Sequence, residues 1–332
     1  MDYTGSKYLG ISLEWNLQPA DGQPRSVRLS IPGYVEKALA RFGVQVDMQR
    51  AVDTPGIFVP PKYGRHSQPA VHDASRPLSP QEGHRIQEIV GVFLYYARAV
   101  DPTMLRKITQ ISSAQAAPTE EVSRQVEHFL QYAGHHPNAG IVYYASDMQL
   151  VGHTDGSYLS EPNARSRAGG VFFLSSRVGT DQPVPVNGPI LCISKMFDVV
   201  LSSAAETEYG SVFIGCHEGE GLRTTLFDLG HDQGPTPIQC DNKCAVGLAN
   251  ETVKERMSKA IDMRFHWIRD RVKQGHFRIF WKRGVDNLAD YFTKEHPVRH
   301  CRNMRQFFVT DPVTVPHCTK ARARRIAGRA SI

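Results

Sequence analysis

From about residue 141 the chain runs through short apolar segments rich in β-branched and aromatic residues: GIVYYAS, LVGHTDGSY, AGGVFFLSS (168–176) and PILCISK (189–195). Their length, composition and hairpin-like spacing read as strands. The texture then changes. A long helical stretch begins near Ser203, TPIQCD (236–241) reads as a strand and NKCAVGLAN as a helix. SKAIDMRFHWIRDRVKQG (258–275) carries Ile261, Phe265, Ile268 and Val272 on one helical face, FRIFWK (277–282) is a further strand and NLADYFTK (287–294) a last helix. Strands at hairpin spacing, followed by strands separated by helices, describe a mixed sheet with helices on its faces.

The first half reads differently. KYLGISLEWNL (7–17) and SVRLS (26–30) are strands around the turn PADGQPR, and PGYVEKALARFG (32–43) is a short helix. Residues 51–80 are rich in Pro, Gly, Ser and His and read as a linker. Helices are expected over 79–100 and 118–136, the second with acids in its first turn and an apolar stripe of Val122, Val126, Phe129 and Leu130. The expected organisation is 1–50, the linker 51–80, a helical region 81–140, an α/β domain 141–297 and a basic tail 298–332.

The 332 residues carry a net charge of +6, which suits a polyanionic partner. Six scattered cysteines in so long a chain fit a reducing compartment. Cys240 and Cys244 suggest zinc, with His296, His300 and Cys301 as distant partners, but the spacing is loose and no second ligand pair follows at a usual distance. No apolar run approaches the ~18 residues of a membrane span, and the first ten residues lack a signal-peptide pattern. The expectation is a soluble intracellular protein, cytoplasmic or nuclear, with no membrane partner.

Four acids stand out. Asp155 precedes Gly156, and Asp-Gly is also a strong hairpin signal. Asp241 ends a strand and could equally cap the helix after it. Glu206, three residues after Ser203, has a capping-box role available, whereas Glu208 does not. Asp290 lies among Leu288, Ala289, Tyr291 and Phe292, an unusual setting for a solvated acid. In an α/β sheet, strand ends and the helices beside them converge on one crevice. Four carboxylates there would need cations, and hard oxygen donors suit Mg²⁺ or Mn²⁺, with two ions able to clamp a displacement at phosphorus.

These stretches resemble the ribonuclease H domain of a copia-type retrotransposon polyprotein. HTDGSYLS is similar to its first-strand aspartate motif, SSAAETEYG to its S-S-x-E-x-E-Y helix start, and IQCDNKCAVGLA to its D-N motif. SKAIDMRFHWIRDRV is similar to its K-x-I-D-x-R-x-H-x-I-R-D helix and NLADYFTK to its terminal A-D-x-x-T-K. KYLGI resembles the end of the reverse-transcriptase palm, and VGVFLYYARAVDPTML and VEHFLQYAGHHPNAGIVYY resemble the connection region. The resemblance implies an RNase H-like mixed sheet with flanking helices, preceded by a smaller, partly helical α+β reverse-transcriptase remnant. It also implies cleavage of the RNA strand of an RNA–DNA hybrid with two Mg²⁺ (or Mn²⁺) ions held by Asp155, Glu208, Asp241 and Asp290, in a chain partnered by other parts of a retroelement polyprotein.

There are departures. The chain has no Asp-Asp pair, so polymerase activity is not expected from it. Ala260 replaces the family's usual histidine, and WKRGVDN lacks the histidine that cellular relatives carry before the last acid. Expected nucleic-acid contacts are Gly156 through its amide, Ser157, Asn242, Arg264, Arg269, Arg271, Lys282 and Arg283; the alternative for any of these basic residues is a solvated helix face. His266 is expected to be partly buried and structural. The basic tail is a candidate nucleic-acid arm or nuclear-import patch. The alternative readings are a catalytically weak nucleic-acid-binding relic and a structural connection subunit.

Overall fold

The computed structural model describes residues 5–20, 22–60, 73–177, 184–252 and 263–310, with the backbone alone at 263–265. The chain divides into two compact units, the second beginning at Ser146, and the first including residues from Glu295 onward.

The first unit opens with β1 (Lys7–Tyr8), β2 (Ile11–Asn16) and β3 (Ser26–Ser30), paired antiparallel with Leu13 opposite Leu29. Helix α1 (Tyr34–Arg41) follows, then α2 (Pro80–Ala99), α3 (Leu105–Ala114) and α4 (Glu120–His135). Ser79 and Glu82 form the capping box that starts α2, with the Ser79 N–H donating to Glu82 Oε2 at 2.8 Å. Phe93 of α2 meets Phe129 of α4 edge-on at 5.3 Å, both fully buried. Strand β4 (Gly140–Tyr144) pairs with β3, placing Ile141 opposite Leu29. GIVYY, read above with the second domain, therefore completes the first unit's sheet, and the unit boundary falls at 146 instead of 141. Helix α3 had no counterpart in the sequence reading.

The second unit holds β5 (Gln149–Glu161), β6 (Arg165–Ser175), β7 (Pro189–Met196), α5 (Ala204–Asp228), β8 (Thr236–Cys240), α6 (Lys243–Ala249), α7 (Met263–Lys273) and β9 (Phe277–Trp281). Its sheet has the order β7-β6-β5-β8-β9. The β5–β6 and β6–β7 pairs are antiparallel, whereas β5–β8 and β8–β9 are parallel. Parallel neighbours need crossovers, which α5 supplies between β7 and β8, and α6 and α7 between β8 and β9. The expected mixed sheet with flanking helices is borne out. Leu150, Phe172, Val212, Cys216, Ile238, Ile268, Phe277 and Ile279 form one buried cluster between sheet and helices. Residues 287–294, expected as a helix, form a 3₁₀ segment, Leu288–Phe292, instead. Among the described residues no helix is long and apolar enough to cross a membrane.

Candidate metal centre

Asp155 lies inside β5, opposite Gly169 of β6. It is not a turn residue: the β5–β6 reversal comes later, where Asn163 and Ala164 take left-handed φ values of 59° and 56°. Asp241 follows the last residue of β8, and the capping role open to it belongs to its neighbour. Asn242 Oδ1 accepts from the Cys244 and Ala245 amides at 2.9 and 3.1 Å, which leaves the Asp241 carboxylate for another use. Glu206 is likewise engaged at the start of α5: its amide donates to Ser203 Oγ at 3.1 Å and its Oε2 accepts from the Ser202 amide at 2.7 Å. Two residues further along the same helix, Glu208 is buried.

Asp155, Glu208 and Asp241 each direct a carboxylate oxygen to a common point, the three atoms lying within 4.8 Å of one another. The fit is close. A Cβ added to Gly156 would sit 2.9 Å from the Thr207 carbonyl and from Ser211 Oγ, so only glycine lets β5 approach α5 this nearly. The Gly156 N–H in turn donates to Glu208.

Asp290 arrives on the 3₁₀ segment, which is pinned to β5 at several points. Asn287 Nδ2 donates to the Thr154 carbonyl at 2.7 Å, and Asn287 Oδ1 accepts from the Ala289 amide at 3.1 Å. The Leu288 amide donates to His153 Nδ1 at 3.2 Å. Burial drives the His153 imidazole down to about 3, so it is neutral and able to accept there. Thr293 Oγ1 lies 2.8 Å from Asp155 Oδ2 and 3.0 Å from the Asp290 carbonyl. The Asp290 carboxylate itself contacts Lys294 Nζ at 2.5 Å, beside the three-carboxylate cluster.

So many acids in so little water oppose ionisation. Burial, then the Asp290 charge, push Asp155 up to about 7 against the opposing pull of Lys294 and Thr293. Burial, then Asp155 and Asp241, push Glu208 up to about 9. Asp241 is raised by burial first and by Asp290 second. A bound divalent cation would relieve each of these costs at once, and an all-oxygen donor set fits Mg²⁺ or Mn²⁺ better than softer ions. Cys240, beside this cluster, is buried while Cys244 is exposed, so the two thiols do not share an environment.

The expected nucleic-acid contacts fare unevenly. The Gly156 amide is used internally by Glu208, and the Asn242 carbonyl oxygen by its helix cap. Arg269 Nε donates to the Leu248 carbonyl at 2.9 Å, and Arg271 contacts Gln274 and Asp270. Both arginines thus make contacts within the unit and are partly exposed. Lys282 lies 3.6 Å from Asp286. Ser157 is half-buried and Arg283 exposed. The Arg264 side chain, Ala260 and the tail beyond residue 310 lie outside the described residues. His266, expected to be partly buried, is exposed. The roles of His153, Asn287 and Thr293 were missed; in sequence they are ordinary polar residues, and only their neighbours in the quoted motifs signal them.

No family model matches the chain. It is 24% identical over 273 residues to the retrovirus-related Pol polyprotein from transposon TNT 1-94 of Nicotiana tabacum, a match covering 82% of this chain and 19% of that one. Identity is 27% over 274 residues to the corresponding polyprotein from transposon RE1 of Arabidopsis thaliana, covering 82% and 17%. Its homologues are retrovirus-related Pol polyproteins of copia-type transposons. The resemblance read from the motifs is borne out, and the chain spans less than one fifth of the length of these two relatives. Among solved structures, LC11-RNase H1 from compost is 13% identical with a TM-score of 0.32, covering 44% of this chain and 93% of that one. The N-terminal RNase H domain of rv2228c from Mycobacterium tuberculosis gives 13% and 0.31, covering 48% and 96%.

Proposed function

We propose that the second unit is a divalent-metal-dependent nuclease that hydrolyses the RNA strand of RNA–DNA hybrids, as one part of a retroelement polyprotein. The observation that carries this reading is the convergence of Asp155, Glu208 and Asp241 from β5, α5 and the end of β8, with Asp290 beside them. Nothing in packing alone calls for three acids in one half-dry cleft, and burial without a cation is costly. The five motifs occur in the order found in copia-type polyproteins, which supports the hybrid as substrate.

Asp155, Glu208, Asp241 and Asp290 would hold the cations. Two such ions, when bound, supply Lewis-acid stabilisation of the attacking and departing oxygens at phosphorus. The remaining work falls to the chain's own groups. Asn287, neutral His153 and Thr293 fix the 3₁₀ segment against β5, so that Asp290 keeps its position relative to Asp155. The Gly156 amide orients the Glu208 carboxylate. The pull of Lys294 on Asp155, Glu208 and Asp241 keeps these acids closer to the ionised form that cations require.

Incubating the full chain with a labelled RNA–DNA hybrid in Mg²⁺ tests the proposal. The expected result is fragmentation of the RNA strand alone, abolished by chelation and lowered on the order of a thousandfold or more by Asp241→Asn, as for loss of a group that stabilises charge in the transition state. Binding without cleavage would overturn the enzymatic reading and support a nucleic-acid-binding relic.

A further inference from the structure

We infer that Lys243 and Trp281 form a preorganised contact for one phosphate of the nucleic-acid backbone, immediately beside the carboxylate cluster. The inference rests on the nuclease reading above and deepens it, because neither residue belongs to the acid set and neither was among the nucleic-acid contacts expected from the sequence.

Trp281 ends β9, where it lies opposite Cys240 of β8 in the parallel ladder. It is therefore on the strand next to the one that delivers Asp241. A large aromatic side chain that is 40% exposed at a strand end gains little from burial. Its indole N–H is nonetheless fully used, donating to the Asp241 carbonyl at 2.8 Å. That bond fixes the plane of the ring relative to the cluster.

Lys243 opens α6, two residues after Asp241, and its ammonium sits 4.5 Å from the centre of the Trp281 ring. The pair is thus clamped on both sides of Asp241, by the chain at Asn242 and by the indole hydrogen bond. Three other lysines of this unit are paired with acids: Lys282 with Asp286, Lys294 with Asp290, Lys273 with Glu251. Among the described residues Lys243 pairs with no carboxylate, and the ring face is its partner. A cation resting on an aromatic face keeps its charge and its donors available to an anion, while the ring restrains the otherwise flexible stem.

The placement answers a problem created by the cluster itself. A phosphodiester approaching several carboxylates is repelled, and bound cations compensate only at the reacting group. A neighbouring phosphate needs its own positive contact at a fixed offset, and a lysine restrained by a rigid ring supplies it. Phosphate contacts of this kind position the strand without reading its sequence. The expectation is register control of cleavage, with no base preference.

Equilibrium binding of a fluorescent RNA–DNA hybrid to the full chain, without divalent ions so that no cleavage competes, tests this over a range of KCl concentrations. Lys243→Gln should weaken binding several-fold at low salt and make the slope of log K against log salt shallower by about 0.9, the value for one lost phosphate contact. Lys243→Arg should restore the slope. Trp281→Leu should weaken binding in the same direction, with Trp281→Phe intermediate because the ring remains and the bond to Asp241 is lost. Lys37→Gln, on α1 of the other unit, is the control. An unchanged slope in Lys243→Gln, or an equal change in the control, overturns the inference. If the slope changes as expected but the wild-type chain does not cut the hybrid in Mg²⁺, the phosphate contact stands and the nuclease reading fails. A wild-type chain that does not bind the hybrid overturns both.

Discussion

Removing the charge of Asp155 should stabilise the metal-free protein, and the effect should switch on with pH. Below about pH 4 this carboxyl is protonated in both the folded and unfolded chain and costs nothing. Between about 4 and 7 the unfolded chain ionises while the folded one holds its proton, so stability falls as pH rises. Above about 7 the folded protein carries a buried, poorly compensated charge. A rise from the ordinary 3.8 to about 7 corresponds to roughly 4 kcal/mol at about 1.36 kcal/mol per pH unit. Glu208, raised to about 9, extends the decline to more alkaline pH. Asp155→Asn removes the titration and keeps an oxygen that can accept from Thr293. At about 2–4 °C per kcal/mol for a unit of this size, the variant should melt on the order of 10 °C above wild type at pH 8 in chelator. The gap should close toward pH 4, and Mg²⁺ should raise the wild type but not the variant. Melting followed by circular dichroism across pH, with chelator and with Mg²⁺, measures all of this. A variant that melts below wild type at pH 8 in chelator, or a wild type whose stability does not change between pH 4 and 8, would refute the reasoning.

Other outcomes follow from the packing. Gly156→Ala forces a Cβ to within 2.9 Å of the Thr207 backbone. Calorimetry should show a loss of about 1–3 kcal/mol, together with weaker Mg²⁺ binding as Glu208 moves. Asn287→Ala strips the buried donor to Thr154 and the cap at Ala289; a loss of about 1–3 kcal/mol is expected by denaturant titration, with slower hybrid cleavage as Asp290 loosens. Arg167 and Glu161 are fully buried partners at 2.6 Å, so Arg167→Met should cost about 3–5 kcal/mol by the same titration because Glu161 keeps an uncompensated charge.

Much of the second unit was legible because its elements have distinct periods, and Asp241 stands where a strand gives way to a helix. Asp155 was the instructive ambiguity. Asp-Gly within an apolar run reads as a turn, and only the continuation of β5 to Glu161 shows that the glycine serves close approach to α5. Asp241 and Asn242 divide two roles, ligand and cap, that sequence offers equally to either. GIVYY was assigned to the wrong sheet because a strand's partner is a long-range choice: the apolar alternation is the same whether Ile141 faces Leu29 or a later strand. The charge of Arg269 and Arg271 on α7 is visible in sequence, whereas their bonds within the unit, to the Leu248 carbonyl and to Asp270, are not. His153 carried no sequence signal, since its part as an acceptor depends on a backbone amide 135 positions away.

The separation of the four acids along the chain has a consequence for assembly. Asp155 can meet Asp241 only after β8 has crossed over to lie beside β5, and Asp290 joins only once the segment beyond β9 has docked. Contacts of this range form late and slowly. A half-made or half-folded chain therefore has no means of capturing a divalent ion, and tight capture becomes a checkpoint that reports the last event of maturation. Timing ion uptake against the packing of Trp267 onto the second unit's core during refolding would order those events directly.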